Sequence, residues 1–245
     1  MGLTHIIKYQ FLRASRMLWY QGRYRFNKWK TIEGVSIPVY LCYGYSVLRF
    51  IDNGQYEHCE IGIIKDTIEA TDTVLELGTG IGFVSAFCAK QIGGENVYTY
   101  EGNPAMEPLI IELYQQNGVF PQSAIAMLGE KNGTQTFYQD KKSFLASSAT
   151  VLPGTTSIVV EVAVHSLNEV IGRLQPSYLI MDIEGGEYDI FKWIDFQSIT
   201  KIQFELHPQV LSATAIDGIF EKLQQAGFSK SNLFNFPNNF YFTRP

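Results

Sequence analysis

Apolar and polar positions follow three different rhythms along this chain. Residues 3–20 place Ile6, Ile7, Leu12, Ala14, Met17 and Leu18 near helical spacing, which predicts an N-terminal helix. Residues 31–51 read as short strands broken by Gly34, Pro38, Gly44 and the turn Asp52-Asn53-Gly54. From 73 onward short apolar runs alternate with helical segments. Strands are predicted at 73–77, 96–100, 124–128, 177–181 and 199–206. Helices are predicted at 81–92, 104–117, 166–173, 186–194 and 214–226, with Pro104 in a first turn and Gly227 as a stop. Residues 129–160 interrupt the alternation with Gly, Ser and Thr clusters and suggest a hairpin. Residues 230–235 and 239–243, around Pro237, suggest a second, terminal hairpin.

Repeated strand–helix units predict an α/β fold with a parallel sheet covered on both faces. Ligands of such sheets bind beyond the carboxyl ends of the strands, where strand order reverses. The chain is therefore expected to divide into an N-terminal extension, 1–70, of helix and short strands that can act as a lid, and an α/β body, 71–245.

Composition adds limits. The 245 residues are 46% hydrophobic, 18% charged and 14% aromatic, enough apolar material for a sizeable core and too little charge for a disordered chain. Cys42, Cys59 and Cys88 are odd in number and far apart, with no Cys/His cluster, which argues against a disulfide framework and a thiolate zinc site. No apolar run reaches the roughly 18 residues of a membrane span, and the N-terminus carries no signal-peptide pattern. A cytoplasmic protein is the expectation.

The net charge of −5 conceals a split. Residues 1–32 hold seven Lys and Arg and no acid, interleaved with Trp19, Tyr20, Tyr24, Phe26 and Trp29, while the remainder holds 12 basic and 24 acidic residues. A basic aromatic segment can pack as a lid with its charges solvated, lie peripherally on an anionic membrane, or contact nucleic acid. The acidic remainder argues against nucleic acid.

The chemistry concentrates at strand ends. V-L-E-L-G-T-G-I-G at 74–82 places Gly78, Gly80 and Gly82 between a strand and a helix, where tight turning and close ligand approach require glycine. The spacing is shorter than the dinucleotide G-x-G-x-x-G. Glu76, two residues ahead, suits a cationic amino group and would repel a pyrophosphate. This favours S-adenosylmethionine over NAD. Glu101, at the tip of the second strand, can accept both ribose hydroxyl hydrogens. Thr79, Gly102 and Asn103 flank these groups, and Glu130, after the third strand, is a candidate for an adenine amino group.

The fourth strand closes in D-I-E-G-G-E at 182–187. Asp182 is the candidate to orient a substrate hydroxyl or take its proton. Glu184 can contact substrate or cap the following helix, and Glu187 reads as a cap. The fifth strand ends in F-E-L-H-P at 204–208, whose spacing puts Glu205 and His207 on one face. Asp182, Glu205 and His207 form the candidate catalytic group. They are also compatible with one hard cation such as Mg²⁺, though no spacing demands it. Cys88 reads as buried packing, and His5, His58 and His165 have no partner visible in the sequence. Trp19, Tyr20, Tyr43 and Tyr45 are acceptor-site candidates, because sugar rings stack on aromatic faces.

These motifs resemble the FkbM family of S-adenosylmethionine-dependent methyltransferases over roughly 55–245. The resemblance rests on the glycine loop, Y-E-G-N-P at 100–104, S-L-N-E-V-I at 166–171, the D-I-E-G-G-E block and F-E-L-H-P. It implies a Rossmann-like class I methyltransferase fold, a seven-stranded, mostly parallel sheet with an antiparallel last strand. It also implies cofactor contacts from Tyr56 and Glu57, which match a Tyr-Glu pair upstream of the loop. Family members are mostly O-methyltransferases, many acting on polysaccharide sugars or secondary metabolites. In this chain Ile180 stands where the family often has Lys, Gly80 where it often has Asn, and Glu76 where it often has Asp. A sugar or glycan hydroxyl is the expected acceptor. An amine acceptor, a secondary-metabolite hydroxyl and a cofactor-binding partner protein without turnover are the rival expectations.

Overall fold

The computed structural model describes residues 19–20, 22–24, 26, 28–39, 44–140, 147–148 and 157–245. The expected helix over 3–20, apart from helical Trp19 and Tyr20, lies outside these residues, as does Tyr43. Most of the basic segment, and with it the membrane reading, falls outside them too.

A hairpin of β1 (Trp29–Ile32) and β2 (Val35–Pro38) opens the described chain, followed by helices α1 (Gly44–Asp52) and α2 (His58–Thr67). The α/β body then runs β3 (Val74–Leu77), α3 (Phe83–Ile92), β4 (Val97–Glu101), α4 (Glu107–Asn117) and β5 (Gln122–Ile125). An insertion of β6 (Met127–Gly129), β7 (Gly133–Asp140), β8 (Ser147–Ser148) and β9 (Ser157–Ser166) comes next. The body resumes with α5 (Leu167–Leu174), β10 (Tyr178–Met181), α6 (Glu187–Trp193), β11 (Lys201–Glu205), α7 (Ala213–Gln225), β12 (Ser229–Lys230) and β13 (Asn239–Thr243).

Seven strands form the central sheet in the order β12-β13-β11-β10-β3-β4-β5. The five strands from β11 to β5 are parallel, and β13 pairs antiparallel with both β11 and β12. This is the class I methyltransferase topology. The chain starts at β3, steps outward to β4 and β5, then crosses back to β10 on the other side. The order therefore reverses between β3 and β10, and a ligand crevice belongs at their carboxyl ends.

Every residue of β3 and β10 is buried. That is what two-sided cover requires of central parallel strands, and it explains why they read as apolar runs without alternation. One core lies under the N-terminal hairpin, α1–α4 and one sheet face; the other lies under α5–α7. Ile32, Val35, Ile37, Leu48 and Ile51 all enter the first core, so the described part of the extension shares its apolar packing with the body.

One expectation for the N-terminal extension needs correction. Residues 31–51 are not all strand: β2 stops at Pro38, and 44–52 is helical. Leu48 and Ile51, both fully buried, lie three apart and half-buried Val47 lies four before Ile51, so one helical stripe faces the core. The helix α2 went unread in the sequence, and it buries Glu60, Ile61, Ile63 and Ile64. The expected hairpin in 129–160 is present as β7 against β9, antiparallel, within a second, four-stranded sheet ordered β6-β9-β7-β8.

Among the described residues no helix is long and apolar enough to cross a membrane.

Candidate active site

The loop after β3 has little freedom. Gly78 has φ +87°, and a Cβ there would lie 1.7 Å from the Asp182 carbonyl oxygen at the tip of β10. Glycine thus lets the tips of β3 and β10 touch. Gly82, at φ +86°, starts α3 against the Tyr114 ring, and a Cβ there would meet it at 2.9 Å. Gly80, at φ +54°, faces open space: nothing lies within 4 Å of its ideal Cβ.

Glu101 ties this loop to the end of β4. Its two carboxylate oxygens accept the Gly80 N–H at 2.8 Å and the Asn103 N–H at 2.7 Å. The carboxylate keeps lone-pair capacity for a ligand hydroxyl. Burial raises the Glu101 pKa to about 7, against the pull of its backbone donors. Glu76, 3% exposed in the middle of β3, is pushed up to about 8 by burial, with the Glu101 charge adding to it. Its Oε2 is buried without a hydrogen-bond partner, and so is the Thr79 hydroxyl.

These groups open into a cavity of about 420 Å³ at the strand-order reversal. Of the residues expected to hold cofactor, Tyr56, Glu57, Glu76, Gly78, Thr79, Gly80, Glu101, Gly102 and Asp182 line it. The ring of Tyr56 packs on Phe83 at 5.7 Å. Phe137, from the inserted sheet, closes down on Gly102, where a Cβ would meet its ring at 2.9 Å. Asn103 and Gly82 do not line the cavity. Asn103 is fully buried, and its Oδ1 accepts from the Ala105 N–H and the Gln139 amide, which fixes the turn after β4. Glu130 is exposed and away from the lining, and Trp19 and Tyr20 are also outside it. Tyr20 is buried against Tyr24 and Tyr45, whereas Trp19 is half-exposed.

The donor set fits S-adenosylmethionine. A buried carboxylate with one unpartnered oxygen awaits a cation, a second keeps capacity to accept from a hydroxyl, and Gly80 leaves room beside them.

The second constellation lies across the crevice. Asp182, Glu205 and His207 each bring one ligand-capable atom within 4.8 Å of the others. Of the three, Asp182 lines the cavity, as does Glu184, at φ +52°. His207 is not oriented by Glu205, as the two-residue spacing suggested. Its Nδ1 donates to Glu187 Oε1 at 2.7 Å, and the same oxygen accepts the Gly185 N–H at 3.0 Å. Its Nε2 faces Glu184 Oε2 at 3.3 Å and Asp182 Oδ1 at 3.6 Å. Burial alone would depress the His207 pKa. The bond to Glu187 and the charges of Asp182 and Glu184 outweigh it and raise the pKa to about 9. Asp182 is pushed well above the ordinary carboxylate range by burial and by Glu205, with His207 opposing. Glu205 rises to about 6, from burial and from Glu60.

Three contributors escaped the sequence reading: Glu187 as the partner of His207, and Glu60 and Asn239 in the cavity lining. Glu60 follows the Tyr56-Glu57 pair by one helical turn, which was a usable signal. Asn239 reaches the site from the antiparallel last strand and had none.

Among curated proteins, none matches the chain. Among solved structures, a methyltransferase from Pyrococcus furiosus is similar at 12% identity, covering 95% of this chain and 98% of that one, with a TM-score of 0.48. Magnesium protoporphyrin IX methyltransferase from Synechocystis PCC 6803, with bound S-adenosylmethionine, aligns at 14% identity over 83% of this chain and 88% of that one, TM-score 0.46. Precorrin-6y C5,15-methyltransferase from Geobacter metallireducens GS-15 aligns at 12% identity over 77% and 86%, TM-score 0.46. The family model of the methyltransferase FkbM domain matches residues 76–230, more than half of the chain, from Glu76 through the glycine loop to beyond His207. The chain belongs to the FkbM methyltransferase family and is an S-adenosylmethionine-dependent methyltransferase.

Proposed function

We propose that this enzyme methylates a hydroxyl group, on a sugar or glycan acceptor. One observation carries the reading: Asp182 Oδ1, at the tip of β10 and on the cavity, is buried and without a hydrogen-bond partner. Its 3.6 Å separation from His207 Nε2 is an ion-pair distance, so a lone pair stays free.

Bound S-adenosylmethionine supplies a methyl group already activated by its sulfonium. The protein's residues then have three tasks. Glu76 would hold the amino group, and Glu101 the ribose hydroxyls. Asp182 would accept the proton that the acceptor hydroxyl loses when that hydroxyl takes the methyl group from the cofactor's sulfonium. His207, held as an imidazolium by Glu187, opposes the burial and the Glu205 charge that raise the Asp182 pKa. A hydroxyl needs such a proton acceptor, whereas an amine that has already lost its proton does not. Tyr56 and the apolar wall of Met127, Leu128 and Phe137 shape the rest of the cavity.

Replacing Asp182 by Asn keeps shape and hydrogen-bonding capacity and removes the base. Turnover on a sugar acceptor, followed as S-adenosylhomocysteine release, is expected to fall about 100-fold or more. Calorimetric affinity for S-adenosylhomocysteine should change by less than about threefold. Turnover within a factor of about two of the parent would remove Asp182 from proton transfer.

A further inference from the structure

The lining of the cavity is unbalanced in charge. Among the described residues, seven that line it are Asp or Glu, and none is Lys, Arg or His. Glu76 and Glu101 belong to the cofactor end. The others include Glu57 and Glu60 on one wall and Asp182 and Glu184 on the other, with Glu205 just behind. These groups feel one another. Burial, then Glu60, Asp182 and Glu205, push Glu57 well above the ordinary carboxylate range. Asp182 is raised in the same way by burial, then Glu205, with Glu184 and Glu60 adding. The neighbouring cation is His207, and its Nδ1 is committed to Glu187.

A second, independent feature is the amide of Asn239, 5% exposed and on the same cavity. Its Nδ2 donates to Glu60 Oε1 at 2.7 Å, which leaves Oδ1 buried without a donor. One Gln203 amide N–H also goes to Glu60, at the backbone carbonyl, 3.2 Å away. Around Glu60 one N–H of each amide is already committed, and the free acceptor capacity is an amide oxygen and carboxylates. Such a wall suits a ligand group that only donates and carries positive charge.

We infer that the acceptor is cationic, a molecule whose methylated hydroxyl sits beside a protonated amine that lodges between Glu57, Glu60 and Asp182 and donates to Asn239 Oδ1. An ammonium has three donors and no acceptor, which matches this wall. It also relieves the mutual repulsion of carboxylates that otherwise retain protons, so its binding releases protons. The inference rests on the cavity being the acceptor site proposed above.

The test uses the full chain saturated with S-adenosylhomocysteine. Glucosamine, glucose, glucuronate and ethanolamine are titrated in turn, by saturation-transfer NMR and by calorimetry in two buffers of different ionisation enthalpy. Glucosamine is expected to bind at least about tenfold more tightly than glucose, with glucuronate weakest and with proton release. Glu60→Gln should abolish that preference. Glu57→Gln, which leaves the Asn239 contact intact, serves the same purpose if the first variant melts early. Glucose equal to or better than glucosamine overturns the cationic acceptor while leaving the sugar reading standing. Ethanolamine equal to glucosamine supports the cation and overturns the sugar. Failure of both amines to bind overturns the inference. So does competition by millimolar MgCl₂, since Asp182, Glu205 and His207 would then be a metal site.

Discussion

The imidazole of His207 is held on one side and charged from the other. Glu187, 0% exposed, accepts from Nδ1 at 2.7 Å, and Asp182 and Glu184 face Nε2. Because the folded pKa of about 9 exceeds the ordinary value of 6.5, the folded chain holds this proton more tightly than the unfolded one. The resulting stabilisation is complete below about pH 6.5 and is lost as pH rises through about 9. Glu187→Gln removes the charged acceptor. The His207 titration midpoint, read by NMR, should fall by at least about one pH unit, and stability at neutral pH should fall by about 3 kcal/mol. A midpoint unchanged near the parent's value would show that Asp182 and Glu184, not Glu187, hold the proton. This partnership was not legible in the sequence. Glu205 and His207 promised a shared strand face, but β11 ends at Glu205, so the two-residue period lapses before His207 is reached. The true partner comes from the start of α6, 20 residues earlier, and is brought in by packing alone.

The glycine loop separates two kinds of constraint within a single element. Gly78 and Gly80 both have positive φ, yet a Cβ at Gly78 collides with the β10 backbone at 1.7 Å, and one at Gly80 meets nothing. Gly80→Ala therefore carries conformational strain alone, about 1 kcal/mol. Gly78→Ala must also push β3 and β10 apart where the cofactor and acceptor ends meet, at a cost of about 3 kcal/mol or more. Urea unfolding should rank the two variants in that order, and S-adenosylhomocysteine binding should be lost in Gly78→Ala. Equal destabilisation would mean that the strand tips are not locked together. The loop was legible because glycine at a strand–helix junction has a physical meaning independent of context. So were β3, β4, β10 and β11, since central parallel strands are short apolar runs. The helix α1 was not. Gly44 and the Asp52-Asn53-Gly54 turn bracket only nine residues, and punctuation that ends a short helix is the same as punctuation that ends a strand. The division of 122–129 into β5 and β6 was hidden for a related reason. One apolar stretch serves two sheets, and nothing local marks the break at Ala126.

At the scale of the whole molecule, the site sets how stability responds to pH. Glu76, Glu101 and Glu205 have pKa values raised to about 8, about 7 and about 6, all above the unfolded carboxylate value. Each binds protons more tightly folded than unfolded. Their stabilisation is therefore present at pH 4.5 and below and fades as pH rises through those values. For Glu76, 3% exposed, the loss is on the order of 4 kcal/mol between pH 5 and 8. An enzyme built this way is most stable, ligand-free, in mild acid, and it weakens toward the pH at which its carboxylates are ready for a cation. With the cofactor's amino group placed beside Glu76 as proposed, bound cofactor acts in the opposite direction, because an ammonium there favours the ionised form. Affinity for S-adenosylhomocysteine should thus strengthen from pH 5 to about 8, where half of Glu76 has lost its proton, and the ligand's stabilising effect should grow with it. Melting curves at pH 5, 6.5 and 8 test both halves: the ligand-free midpoint should fall across the series and the ligand-bound midpoint should fall less. Glu76→Gln should flatten the ligand-free slope and weaken binding most at pH 8. A ligand-free midpoint that rises from pH 5 to 8 would show that the cavity carboxylates are ionised and paired before any ligand arrives, and a cation would then have no unmet charge to answer at either end of the site.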